Sequence, residues 1–217
     1  MKSPKRPTFV FDLDGVITKT EAHHFEAWKQ TASFLEYAIT PENNEALKGV
    51  NRVDSLKKII AWAGEKVPSE TFDRLLQEKN ERYIASLSSL SGKDIMEGVH
   101  SFILDAKENG HTIALYSSSK NAKFILTKLN IINLFDVLVD GNDVTQSKPH
   151  PEGFELAASL SATPPKDCVV FEDSHSGIQA ANQIGMITVG IGDVKNLSMA
   201  TRVCENFKEI SLNDFKL

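Results

Sequence analysis

Residues 8–15 read Thr8-Phe9-Val10-Phe11-Asp12-Leu13-Asp14-Gly15. A β-rich apolar run that stops at carboxylates and then at glycine predicts a buried strand ending in a loop. The same pattern returns four times downstream, at Thr112–Tyr116 (TIALY), Val137–Val139 beside Phe135, Cys168–Phe171 (CVVF) and Ile187–Ile191 (ITVGI). Helical spacing separates these runs over Val99–Glu108, Ala122–Leu129, Glu152–Leu160 and Ile178–Gln183. Gly110 and Gly185 stand where helix-terminating glycines belong. Strands alternating with helices predict right-handed crossovers and a parallel α/β sheet.

The stretch between the first strand and the second differs. From about Lys19 to Lys93 the spacing is helical almost throughout, with candidate helices at Glu21–Phe34, Glu42–Leu47, Val53–Ala63 and Thr71–Ser86. Gly49-Val-Asn-Arg52 separates the middle two, and Ser69 is the expected N-cap of the last. A helical block inserted after the first strand of a parallel sheet predicts a cap over an α/β core. The alternative is one continuous α/β domain.

The chain has 217 residues, a formal net charge of −5 and 41% hydrophobic residues. That length suits one large domain, or one domain with a modest insertion, and can bury a core without staples. The acidic balance argues against a nucleic-acid binder. Cys168 and Cys204 are too far apart to suggest a metal clip, which predicts a reduced cytoplasmic protein. The basic start, MKSPKRP, leads into an apolar run that Asp12 and Asp14 interrupt at once, so neither a signal peptide nor a membrane span is expected.

Chemistry-bearing residues gather at the strand ends. Asp12 and Asp14 close the first strand, in a context so apolar that both carboxylates are costly to desolvate without a compensating cation or substrate. The second strand ends in Ser117-Ser-Ser-Lys-Asn121, the third is followed by Ser147-Lys148-Pro149, and the fourth by Glu172-Asp173-Ser174. Proline biases Lys148 toward an extended backbone, from which its ammonium can leave the loop. Open α/β sheets bind ligands beyond the carboxyl ends of their strands, so all four ends are expected in one crevice. Hard oxygen ligands of this kind suit Mg²⁺.

These four motifs, from Phe11–Thr18 (FDLDGVIT) to Phe171–Ala181 (FEDSHSGIQAA), resemble those of the haloacid dehalogenase superfamily in its branch with a helical cap. The match runs over nearly the whole chain. It implies a Rossmann-like parallel-sheet core formed by 1–18 and 94–217, with an inserted α-helical cap over 19–93. It implies that Asp12 attacks phosphorus and becomes an aspartyl phosphate, while Asp14 serves as general acid and base. It further implies that Mg²⁺ is held by Asp12, the backbone carbonyl of Asp14 and Asp173, with Glu172 a ligand or close partner. Ser117, the Ser118 amide and Lys148 would hold the transferring phosphate. Such a division suits phosphoryl transfer, which needs in-line positioning and charge neutralisation above all. Dehalogenating relatives lack the second aspartate, so Asp14 favours phosphate chemistry.

Within the superfamily the cap resembles that of the sugar-phosphate mutases. His24 and Trp28 are one helical turn apart and share a face; the resemblance sets His24 near Asp14. Arg52 matches a loop arginine that grips the non-transferring phosphate, Lys79 a phosphate-contacting cap lysine, and Ser119, Lys120 and Asn121 residues lining the sugar site. Taken singly, Trp28 could be packing, His24 a core or surface histidine, Lys79 a solvated helix face, and Arg52 a partner of Asp54. Trp62 reads as core. Lys19, where an aspartate is usual, and Glu97, where a proline is usual, depart from the mutase pattern at the cap connections. The expected activity is an Mg²⁺-dependent isomerisation between β-D-glucose 1-phosphate and glucose 6-phosphate through the 1,6-bisphosphate. A sugar-phosphate phosphatase is the alternative, and a silent binding domain a third. The expected partner is a small sugar phosphate bound by a monomer, with no nucleic acid or membrane.

Overall fold

The computed structural model describes residues 6–215; the basic start at 1–5 and the last two residues lie outside it. In chain order β1 (Thr8–Phe11) leads to four helices, α1 (Glu21–Ser33), α2 (Pro41–Glu45), α3 (Arg52–Ala63) and α4 (Ser69–Ser86). Then follow α5 (Val99–Glu108), β2 (Ile113–Tyr116), α6 (Ala122–Lys128), β3 (Val137–Val139), α7 (Glu152–Leu160), β4 (Cys168–Glu172), α8 (His175–Gln183), β5 (Ile187–Ile191) and β6 (Arg202–Cys204). Among the described residues the strands form one parallel sheet in the order β3-β2-β1-β4-β5-β6. The chain therefore leaves β1 toward one edge and later returns to β4 on its other side. β1 is the switch point, where α/β sheets open a crevice at their carboxyl ends.

The central strands are buried on both faces, which is why they read as continuous apolar runs. Side chains alternate across the pleat: Phe9 and Phe11 join one apolar cluster with Phe102, Phe171 and Phe207, while Val10 joins another with Phe154, Ala157 and Val170. On the first face the rings of Phe11 and Phe171 lie 4.8 Å apart and those of Phe9 and Phe102 5.2 Å apart. Truncating one such buried ring to alanine costs about 3–5 kcal/mol. This rigid layer fixes where β1 ends, and with it Asp12.

Helices α1, α3 and α4 build a third cluster around Trp28, Leu56, Ile59 and Leu75, with Trp62 packed against it. The two segments joining these helices to the sheet run side by side: Thr18 bridges Ile95, Met96 N–H donates to the Ile17 carbonyl at 2.8 Å, and Thr18 Oγ1 to that of Asp94 at 2.9 Å. Lys19 is exposed there, and Glu97 pairs with Lys208 at 2.6 Å. Gly110 and Gly185 end their helices at φ +76° and +73°.

Three sequence expectations need correction. A sixth strand, Arg202–Cys204, extends the sheet beside β5. α4 begins at Ser69 with Pro68 as its N-cap residue, because the Pro68 carbonyl already accepts from Phe72 N–H at 2.9 Å. α2 spans Pro41–Glu45, because the Thr40–Asn43 capping box starts it earlier and the chain turns after Glu45 to reach the sheet. Among the described residues no helix is long and apolar enough to cross a membrane.

Candidate active site

Asp12 follows the last residue of β1, and its N–H still donates to the Phe171 carbonyl at 3.0 Å, which anchors it between β1 and β4. The chain then turns at Gly15, whose φ is +84° and where any Cβ would strike the Asp173 carboxylate. Only glycine permits both the turn and the approach of that acid. The turn brings Asp14 onto the wall of the same crevice as Asp12.

Beneath Asp12 lies Lys148, 1% exposed, its Nζ hydrogen-bonded to Asp12 Oδ1 and 2.5 Å from Glu172 Oε1. Its stem passes the Tyr116 and Phe154 rings, with Nζ 4.8 and 5.4 Å from their centroids. Burial would depress this amine, but Asp12 and Glu172 hold its pKa above the ordinary lysine value. Glu172 Oε2 accepts from Ser174 N–H at 2.7 Å and Oγ at 2.8 Å. Its carboxylate is thus turned into the protein under Lys148 and away from the cavity wall. Burial, opposed by Lys148 but reinforced by Glu172 and Asp14, pushes the Asp12 carboxyl up to about 8. Asp173 is pushed well above the carboxylate range by burial and by Glu172 and Asp12, against the pull of Lys48.

Asp14 behaves in the opposite way. Burial would raise it, but His24, Thr20 and Lys79 together hold it below the usual value. Thr20 Oγ1 donates to Asp14 Oδ1, and His24 Nε2 lies 3.6 Å from the same oxygen. His24 Nδ1 is 2.8 Å from Lys79 Nζ, and its ring stacks on Tyr83 at 3.9 Å. Burial, then Lys79, lower the His24 pKa. With Lys79 donating to Nδ1, the neutral imidazole carries its proton on Nε2, facing Asp14.

Between sheet and cap lies a cavity of about 470 Å³. Its walls take in Asp12, Asp14, Ser117, Ser118, Ser119, Lys120, Asn121 and Asp173 from the sheet side, and His24, Trp28, Arg52 and Lys79 from the cap. Lys148 and Glu172 are not part of the wall and act on it from below. Trp28 is 4% exposed and belongs to the cap's apolar cluster, with its ring 4.6 Å from Lys79 Nζ. Lys79, 2% exposed, is no solvated helix face; burial and Arg52 push its pKa down to about 7. Asp54 pairs with Lys57 at 3.0 Å rather than with Arg52, and Arg52 has no ion-pair partner among the described residues. Ser117 Oγ accepts from Ser119 N–H at 3.1 Å, and Asn121 Nδ2 donates to Asn80 of the cap at 2.9 Å.

Residues of the expected motifs also make contacts that sequence reasoning did not foresee. Ser118 Oγ donates to the Gly49 carbonyl at 2.7 Å, Asn51 Nδ2 to Ser147 Oγ at 2.8 Å, and Ser176 Oγ to the Lys48 carbonyl at 2.9 Å. The loops after β2 and β3 and the first turn of α8 thus hold one cap loop. Lys48 and Tyr83 were missed because Asp173 and the His24 ring reach them across the fold, and Thr20 because it meets Asp14 only once the chain has turned at Gly15.

Comparison with known proteins bears on this geometry. The profile of the haloacid dehalogenase-like hydrolases matches residues 7–185. The chain belongs to that family. Over 205 residues it is 35% identical to the β-phosphoglucomutase of Bacillus subtilis, covering 94% of this chain and 91% of that one. It superposes on the β-phosphoglucomutase of Clostridium difficile with a TM-score of 0.93 at 35% identity, covering 97% and 95% of the two chains. It is also 29% identical over 179 residues to the phosphorylated carbohydrates phosphatase of Thermotoga maritima, covering 82% and 81%. The chain is therefore an enzyme of the haloacid dehalogenase superfamily, similar to both mutases and phosphatases of phosphorylated sugars.

The acidic end of the cavity is short of positive charge. Among the described residues no three His, Cys, Asp or Glu side chains form a metal cluster. Mg²⁺, however, needs only one or two carboxylates and fills its remaining positions with carbonyls, waters and phosphate oxygens. Asp12 and Asp173, whose carboxyls hold their protons tightly beside Glu172, fit such an ion.

Proposed function

We propose that this protein is a β-phosphoglucomutase, interconverting β-D-glucose 1-phosphate and glucose 6-phosphate through the 1,6-bisphosphate. The observation that carries this is the cationic pole on the cap. Arg52, with no ion-pair partner among the described residues, and the buried Lys79 repel one another on the wall of the cavity that also holds Asp12. Two basic groups so placed, one of them without an ion-pair partner, suit a second anionic group on the substrate. A one-phosphate phosphatase has no need of it.

Asp12 Oδ attacks phosphorus, the bond from phosphorus to the sugar oxygen breaks, and that oxygen takes a proton from Asp14. In the second half-reaction the other sugar hydroxyl gives its proton to Asp14 and attacks the aspartyl phosphate, breaking the bond to Asp12. Asp14, held by His24 and Thr20 below the usual carboxylate range, is ionised at rest, so it takes its proton from the attacking sugar hydroxyl on the aspartyl phosphate and returns that proton to the leaving oxygen when Asp12 attacks. Asp12, Asp173 and the Asp14 carbonyl would hold Mg²⁺, which neutralises phosphate charge when bound. Lys148, hydrogen-bonded to Asp12, opposes the burial that raises its carboxyl, while Ser117 and the Ser118 amide receive phosphate oxygens. Closure of the cap excludes water and presents the sugar hydroxyl as acceptor. The enzyme is proposed to act as a cytoplasmic monomer on a small sugar phosphate.

The similarity to a carbohydrate phosphatase supports hydrolysis as the second reading. Incubation with β-D-glucose 1-phosphate, a trace of the bisphosphate and Mg²⁺ separates the two. Glucose 6-phosphate without matching inorganic phosphate is the expected result, and rapid phosphate release would overturn it.

A further inference from the structure

Lys48 stands on the cap loop after α2, and its ammonium crosses the cleft to the core, with Nζ 3.4 Å from Asp173 Oδ2. It also pairs with Glu45, the last residue of α2, at 3.2 Å. The backbone of this loop is fixed from the core: Ser176 Oγ donates to the Lys48 carbonyl and Ser118 Oγ to that of Gly49. Gly49 has φ +71°, and a Cβ there would strike the hydroxyls of Ser174 and Ser176, so glycine lets the loop come this close. The result is one positive charge delivered to a carboxylate that is only 9% exposed. Lys148 is committed to Asp12 and Glu172, and among the described residues Lys48 is the cation paired with Asp173.

We infer that Lys48 is a positioning residue that carries the cap's charge to Asp173, and that its ammonium competes with a divalent cation for that carboxylate. This rests on Asp12 and Asp173 being the metal carboxylates of the proposed function. An ammonium and a divalent ion on one carboxylate repel each other, and a partly dewatered cleft strengthens the repulsion several-fold over bulk water. Exposure of 26% of the Lys48 side chain moderates it through screening. Without the ion, Lys48 compensates Asp173 and ties the cap to the core. Loading the ion weakens that tie, so metal occupancy and cap position are linked, and by reciprocity closing the unliganded cap weakens metal binding.

The test measures Mn²⁺ affinity of ligand-free protein by calorimetry or by loss of the free-ion electron paramagnetic resonance signal. Lys48→Gln keeps most of the side chain's length without its charge and is expected to bind Mn²⁺ about tenfold more tightly, equal to about 1.4 kcal/mol. Lys48→Arg keeps the charge and is expected to match the wild type. Unchanged or weaker binding by Lys48→Gln, with normal binding by the wild type, overturns the inference and leaves the metal site standing. Equal tightening in Lys48→Arg also overturns it, since charge would not be the cause. No Mn²⁺ binding by any of the three overturns the metal site and the inference together.

Discussion

Replacing Lys148 by methionine removes a buried charge and keeps most of the stem that packs on Tyr116 and Phe154. The ammonium serves two carboxylates at once, Asp12 and Glu172, in a place with no solvent to replace it. Removing one partner of a buried ion pair typically costs about 3–5 kcal/mol, because the other charge is left uncompensated. Here two features favour the low end. Glu172 keeps its bonds from Ser174, and Asp12, already raised to about 8, can take up a proton. A loss of about 3 kcal/mol therefore follows, and at about 2–4 °C per kcal/mol for a chain of this size the Tm falls by about 6–12 °C. The loss is larger at pH 9 than at pH 6, because Asp12 can no longer hold its proton. Thermal unfolding in metal-free buffer measures this, and adding Glu172→Gln is expected to recover more than half of it. A drop of under about 2 °C, or a double variant less stable than the single one, would refute the view of Lys148 as the counterion of a buried carboxylate pair.

Arg52→Ala is expected to impair isomerisation of β-D-glucose 1-phosphate by at least about tenfold more than hydrolysis of a small aryl phosphate, since a lost charge-assisted phosphate contact is worth about 1.5–3 kcal/mol; equal losses in steady-state assays would make Arg52 structural. Metal-free protein is expected to lose stability as pH rises from about 4 to about 8, because Asp12 has a folded pKa above its ordinary 3.8 and so favours folding only while protonated. Mg²⁺ binds the deprotonated site, so it should raise Tm more at pH 8 than at pH 5; equal shifts in a melting series would contradict this.

What could be seen without coordinates follows from physical range. β1 and β4 are buried on both faces, so their apolar runs and the acids that end them are visible in any short window. Lys148 is marked by the following proline, but its role depends on Glu172, which sequence reasoning offered as a metal ligand or close partner. The geometry turns Glu172 under Lys148 because Ser174, capping α8, binds the other carboxylate oxygen. β6 escaped notice because it has three residues, opens on an exposed arginine and owes its place to pairing with β5. Lys79 shows the same limit: its own helix supplies Tyr83 one turn on, but nothing in it tells that Trp28 and His24 of α1 complete the enclosure. The cap loop is legible at Arg52, whereas Lys48 gains meaning only when the loop is seated on Asp173.

The most direct measurement of the central claim is to react the protein with the bisphosphate and Mg²⁺, quench in acid and map the phosphorylated peptide by mass spectrometry. A phosphoryl group on Asp12, absent from Asp12→Asn together with all turnover, is the expected result. Phosphate on another residue, or isomerisation that persists in Asp12→Asn, would contradict it.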